Sequence, residues 1–151
     1  MEFGTSIFVQ IQHKKRRGTT MSMTDEERNA ITKYRTEKAI QTLEDAKQIA
    51  EIKRWSSAVN RLYYSIYYAA TALLISNGHI SRTHSGMMSL LNQYYVTTGI
   101  LTKEDSKLIK RLFDLRQESD YDDFIDVDEE DVMHYLPEVE TLVQKIISLC
   151  M

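Results

Sequence analysis

Cysteine, proline and glycine are scarce in this chain of 151 residues, at one, one and five copies. A single cysteine excludes a disulfide framework and a cysteine-rich zinc site, and it suits a reducing, cytoplasmic setting. So little proline and glycine excludes collagen-like and loop-rich disordered classes. It also argues against sandwiches and barrels, which need many turns. Positive charge is not in excess either. A net charge of −3 at pH 7 speaks against broad, non-specific nucleic-acid affinity, which depends on neutralising phosphates. No run is long enough for a membrane. The fourteen uncharged residues 62–75, LYYSIYYAATALLI, would span ~21 Å as a helix, short of the ~30 Å of a bilayer core. GxSxG, GxxxxGK, GxGxxG and HExxH are all missing, so hydrolase, NTPase, Rossmann and zincin readings lack support.

What is present is the composition of one ordinary globular domain, 42% hydrophobic and 27% charged. The charge is unevenly spread. Residues 1–23 include Lys14, Lys15, Arg16 and Arg17 against Glu2. Their short apolar stretch precedes the basic cluster, the reverse of a secretory signal. Residues 1–23 read as a disordered or non-native tail, and 24–151 as the folded domain. Residues 118–140 hold eleven acids and no lysine or arginine, directly after a basic stretch from Lys103 to Arg116.

Helical periodicity covers the folded part. Thr24 to Glu27 has the form of a capping box, opening a helix to about Ile52 with an inward stripe of Tyr34, Ala39, Ile40, Leu43, Ala46, Ile49 and Ala50. A second helix runs from about Trp55 to Ser76 and stops at Asn77-Gly78. Apolar on all sides and carrying four tyrosines, it belongs at the centre of a bundle with its hydroxyls paired. A third helix is expected from Arg82 or Thr83 to Val96, and a fourth from Thr102 to about Glu118 or Ser119. A fifth follows Asp128, and Pro137 should kink or split it. The fold class is therefore all-α, an antiparallel bundle of four to five helices.

Three residues are candidates for chemistry. Arg116 shares the inward side of the fourth helix with Ile109, Leu112 and Phe113. A permanently charged group facing inward needs an anion: either a bound phosphate, or a carboxylate such as Glu118 or Asp120. Arg61 is the last charge before the tyrosine run, with Tyr64, Ser65 and Tyr68 on its face. It suits a base or phosphate, or an ordinary buried arginine–tyrosine–aspartate network. His84, in SRTHSG at a helix start, titrates near neutrality and can serve as acid, base or cap. His79 is five residues away, off its face, so no metal site is expected. DYDDFIDVDEED fails as a calcium loop beginning at Asp120, because Ile125 occupies the position that requires glycine.

AVNRLYYSIYYAATALLISNG, followed by RTHSG and LFDLRQESDYDD, resembles the HEPN domain family, in particular its short prokaryotic members. The resemblance covers about residues 28–150. It implies a helical bundle, often a homodimer, without a cofactor. It also implies a small nucleotidyltransferase as partner, in arrangements resembling toxin–antitoxin pairs. Many members are metal-independent RNases with an R-x4–6-H motif. Arg116 matches the motif arginine, yet Gln117 to Asp123 contain no histidine. Tyr121, preceded by Asp120, stands at the fifth position after Arg116. It is a loose counterpart of a tyrosine that such partners adenylylate.

Three readings follow. The chain is a binding partner of a nucleotidyltransferase, holding nucleotide or RNA phosphate with Arg61 and Arg116. Or it is an RNase toxin in which Arg116, Asp120 and Tyr121 are catalytic and Arg61, Tyr64 and His84 bind. Or it is a non-catalytic homodimeric bundle. All five of Arg116, Asp120, Tyr121, Arg61 and His84 are expected around one cleft near the end of the fourth helix.

Overall fold

A computed structural model describes residues 23–121 and 126–150, the Tyr121 side chain excepted. The basic cluster 14–17 and the centre of the acidic run, 122–125, lie outside the described residues. The described part is the expected all-α bundle. Its elements are α1 (Asp25–Glu51), α2 (Trp55–Ser76), α3 (His84–Leu91, continuing as a π turn over Asn92–Val96), α4 (Lys103–Tyr121) and α5 (Glu129–Leu149).

Helix starts follow the sequence closely because side chains satisfy free N–H groups there. Thr24 and Glu27 form the capping box of α1, and Asp128 and Asp131 form that of α5. At the start of α4, the Asp105 N–H donates to Thr102 Oγ1 and the Thr102 N–H to Asp105 Oδ2, at 3.0 and 2.9 Å. Left-handed backbone at Gly78 (φ 84°) and Gly99 (φ 80°) reverses the chain before α3 and α4.

Helix α2 is the axis of the bundle: α1, α3, α4 and α5 all pack on it. Thirteen of its 22 residues are buried, so its uncharged sequence reflects enclosure on nearly every side. Leu62, Ile66 and Leu73 are fully enclosed, each worth roughly 1.5–3 kcal/mol relative to exposure. Ser65 Oγ donates to the Ala39 carbonyl at 2.8 Å, fixing how α1 lies along α2. Among the described residues, no helix is long and apolar enough to cross a membrane.

Several boundaries and faces differ from expectation. Met23, assigned to the tail, packs on Ile31 and Ile75. Tyr34 and Ile40 are exposed. The buried stripe of α1 is Ile31, Ala39, Leu43, Ala46 and Ala50, joined by Thr42, and Ile40 is turned about 100° from Ala39. Helix α4 extends through Tyr121. Pro137 lies inside α5 without dividing it. Its ring frees the Met133 carbonyl, and Met133 is exposed, so water can satisfy that group. The π turn after α3 inserts one residue and swings Tyr95 inward. Its hydroxyl accepts from Asn77 Nδ2 at 2.7 Å and faces the Leu73 carbonyl at the end of α2.

Candidate functional site

The tyrosine run of α2 meets the last turns of α4 and the first turn of α3. Arg116 is 8% exposed, the most enclosed charge of the described residues. Its guanidinium carbon lies 5.2, 5.4 and 5.6 Å from the rings of Tyr63, Tyr64 and Phe113. Nη1 reaches Asp120 Oδ2 at 3.4 Å, longer than the ~2.7–2.9 Å of a strong charge-assisted bond. Arg116 Nε is buried without a partner, as is Ser119 Oγ three residues further on. Removing an ion from water costs several kcal/mol, whereas a cation over an aromatic face regains ~0.5–2. Three rings and one long ion pair leave this guanidinium under-compensated.

Arg61 approaches the same ring from α2 itself, 5.3 Å from the centroid of Tyr64. Its Nε and Nη2 donate to Asn60 Oδ1 at 3.1 and 2.7 Å, and no carboxylate pairs with it among the described residues. A cavity of about 300 Å³ is lined by Ile49, Ser56, Ser57, Asn60, Arg61 and Asp120. A larger one, about 480 Å³, lies at the far end of α4, where Glu104, Asp105 and Glu138 outnumber Lys145 and disfavour an anion.

His84 enters from the first turn of α3. Thr83 caps that helix, its Oγ1 accepting from the Gly86 N–H at 2.9 Å, while Ser81 Oγ donates to the Thr83 carbonyl at 2.8 Å. A Cβ on Gly86 would stand 2.7 Å from Ser81 Oγ and 2.8 Å from Thr83 Oγ1. The THSG turn therefore needs glycine for space. The turn sets the imidazole 4.9 to 6.0 Å from the rings of Tyr63, Tyr64, Tyr67 and Phe113.

The Tyr63 hydroxyl and His84 Nδ1 are 2.6 Å apart. Tyr63 has no exposure, and burial holds its phenol neutral well above the ordinary tyrosine range, although Arg116 opposes this. Burial lowers the pKa of His84, and the Arg116 charge lowers it further. Both groups are thus neutral near pH 7. A buried phenol that only accepted would leave its own O–H unsatisfied, so Tyr63 donates and Nδ1 accepts. The proton of His84 then resides on Nε2. In this state the imidazole offers a donor, suited to holding an anion, and has no free lone pair for abstracting a proton.

Of the residues singled out in the sequence, Arg61, Tyr64, Arg116 and Asp120 come together directly, and His84 joins through Tyr63. The Tyr121 backbone ends α4, and its side chain lies outside the described residues. Tyr63, Tyr67 and Phe113 were missed. Position 63 is two residues from Arg61 and so off its face. Only the packing of α4 on α2 shows that Tyr63 supports Arg116. Among the described residues, no group of three or more His, Cys, Asp or Glu could hold a metal ion.

An all-helical bundle whose central helix presents a cluster of edge-on and tilted tyrosines to an arginine from the fourth helix defines a recognisable class. The HEPN domain model matches residues 32–149. The chain is 34% identical over 123 residues to a UPF0332 protein of Thermotoga maritima, covering 82% of this chain and 93% of that protein. It is 33% identical over 111 residues to a UPF0332 protein of Archaeoglobus fulgidus, covering 74% and 88%. Over 100 residues it is 30% identical to "Putative toxin MJ0142" of Methanocaldococcus jannaschii, covering 66% and 68%. The chain belongs to the HEPN domain family.

Proposed function

We propose that this protein is the HEPN component of a toxin–antitoxin-like pair. In this reading it holds a nucleotide or an RNA phosphate between Arg61 and Arg116 and works beside a small nucleotidyltransferase. The observation that carries the reading is the approach of two guanidiniums to one ring, Tyr64, with Arg116 buried and imperfectly paired. The donor tautomer argued for His84 supports anion binding over proton abstraction, as does the missing motif histidine. Kinship with a protein named as a toxin supports the wider setting.

Isothermal titration with UMP and AMP tests the binding. Saturable binding abolished in both Arg61→Met and Arg116→Met, each still helical by circular dichroism, is the expected result. Binding unchanged in both variants overturns the assignment. Co-expression with a nucleotidyltransferase encoded beside the gene tests the partnership, and failure to co-purify counts against it.

The RNase reading rests on a different observation. His84, Tyr63 and Arg116 form one cluster, so an imidazole stands near the phosphate-binding cation despite the missing motif residue. Growth arrest on induction that is lost in Arg116→Ala, together with cleavage of total RNA by the pure protein, would favour it.

A further inference from the structure

The aromatic face of α2 continues beyond the Arg61–Arg116 site. Tyr64, Tyr67 and Tyr68 are each half-buried and mutually in contact, with ring centroids 5.8 to 6.2 Å apart. Positions 61, 64 and 68 follow the i, i+3, i+7 spacing of one helix face and run ~10.5 Å along the axis. At the far end α1 supplies two more cations. Lys38 Nζ lies 6.0 Å from the centre of the Tyr68 ring. Arg35, three residues before it and so on the same side of α1, is half-buried. The hydrogen bond from Ser65 to Ala39 holds this part of α1 against α2.

Among the described residues, neither Arg35 nor Lys38 has a carboxylate partner. Helix α2 itself contains no acid. Among the described residues, the face thus gathers Arg35, Lys38, Arg61 and Arg116 against one carboxylate in contact with them, Asp120. This occurs in a chain of net charge −3. Cations at both ends of a row of aromatic rings match a strand of linked phosphates and bases better than an isolated anion.

We infer that Arg35 and Lys38, beside Tyr68, form a second phosphate subsite, and that the face as a whole takes a single-stranded polynucleotide. One phosphate lies at Arg61 and Arg116 and a later one at Arg35 and Lys38, with intervening bases along Tyr64 and Tyr68. The inference rests on the reading that Arg61 and Arg116 hold a phosphate, and it adds that a mononucleotide fills only half of the site.

Fluorescence anisotropy of end-labelled oligouridylates of two, four and eight nucleotides, competed with UMP, tests it on the full chain. Affinity should rise at least about tenfold from two to eight nucleotides, and log affinity should fall steeply with log salt. Lys38 is exposed, so Lys38→Glu should fold; it should weaken the octamer about tenfold and leave UMP unchanged. Lys38→Gln should give a smaller loss, and Tyr68→Phe should bind like the parent whereas Tyr68→Ala should bind poorly. An oligothymidylate octamer that also binds supports a strand site indifferent to the sugar.

If UMP binds and length adds nothing, the second subsite is wrong and the first stands. If neither UMP nor octamer binds, both fall. An octanucleotide duplex that binds as tightly as the single strand overturns the inference. So does Lys38→Glu that dissociates a dimer without weakening the octamer, because the face would then be a protein interface.

Discussion

The hydroxyl of Tyr63, fully enclosed, stands 2.6 Å from His84 Nδ1, a pairing in which burial makes the phenol the donor, tying the centre of the bundle to the first turn of α3. This contact fixes the tautomer of the imidazole. It also makes the state of His84 depend on Arg116, which faces the other partner.

His84 should titrate below the ordinary value of about 6.5. The unfolded chain then takes up the proton first as pH falls. The stability linked to His84 is therefore complete above about 6.5 and declines as pH drops toward the folded-state value. Proton NMR of the imidazole checks this. Arg116→Met should move the midpoint upward, and a wild-type midpoint above 6.5 would contradict the environment described.

Tyr63→Phe removes the donor to Nδ1 at a cost of ~1 kcal/mol. Nitrogen-15 spectra of His84 should show mainly Nε2–H in the parent and a mixture of tautomers in the variant. A parent spectrum with the proton on Nδ1 would refute the assignment.

Arg116→Met should change stability by no more than ~1–2 kcal/mol in either direction, because a buried cation contributes little net folding energy against an apolar side chain of similar length. Ligand affinity should nevertheless vanish. Arg116→Lys should fail to restore it, since an ammonium cannot reproduce the planar fork lying among three rings. A loss of folding above ~4 kcal/mol would show that the arginine is chiefly structural.

Gly86→Ala should cost ~1 kcal/mol, the worth of a helix cap, because its methyl displaces Ser81 Oγ and Thr83 Oγ1. In a chain of this size that lowers Tm by ~2–4 °C. Adding Ser81→Ala should make the pair less damaging than the sum of the singles. Strict additivity would argue against the crowding.

Asp105 is pushed up by burial, but hydrogen bonds from Lys145, at 2.7 Å, and from Thr102 outweigh this and hold its carboxyl below 3.8. Its stabilising effect is thus present above about 3.8 and lost as pH falls below it. Asp105→Ala should cost ~1–2 kcal/mol at pH 7, read from urea melts, and less at pH 3. An equal cost at both pH values would count against the ionised cap.

The helices were legible in the sequence because their signals are local. Thr24, Thr102 and Asp128 bond to groups three residues away, and the uncharged run of α2 announces its own enclosure. The π turn was not legible. Residues 92–96, NQYYV, look helical, and the contact that accompanies the turn, Tyr95 with Asn77, involves a different element. At the site, Arg61 and Arg116 stood out because charge is unusual on an apolar face. Tyr63 and Phe113 did not, since aromatic rings on inward faces are ordinary core. Arg35 went unmarked for a related reason: its helix carries many charges, and only the seat of α1 on α2 separates it from them.

The ring of Tyr95 has one further consequence. Delivered by the widened turn, it closes the end of a helix whose cap, Asn77, lies eighteen positions earlier in the chain. Fraying of either segment gives up this bond, although the Asn77 amide keeps the Leu73 carbonyl and Ser76 Oγ, so each end stabilises the other. Amide protons of 73–78 and 92–96 should therefore exchange with solvent as one cooperative unit, even though a loop and most of α3 separate them in the chain.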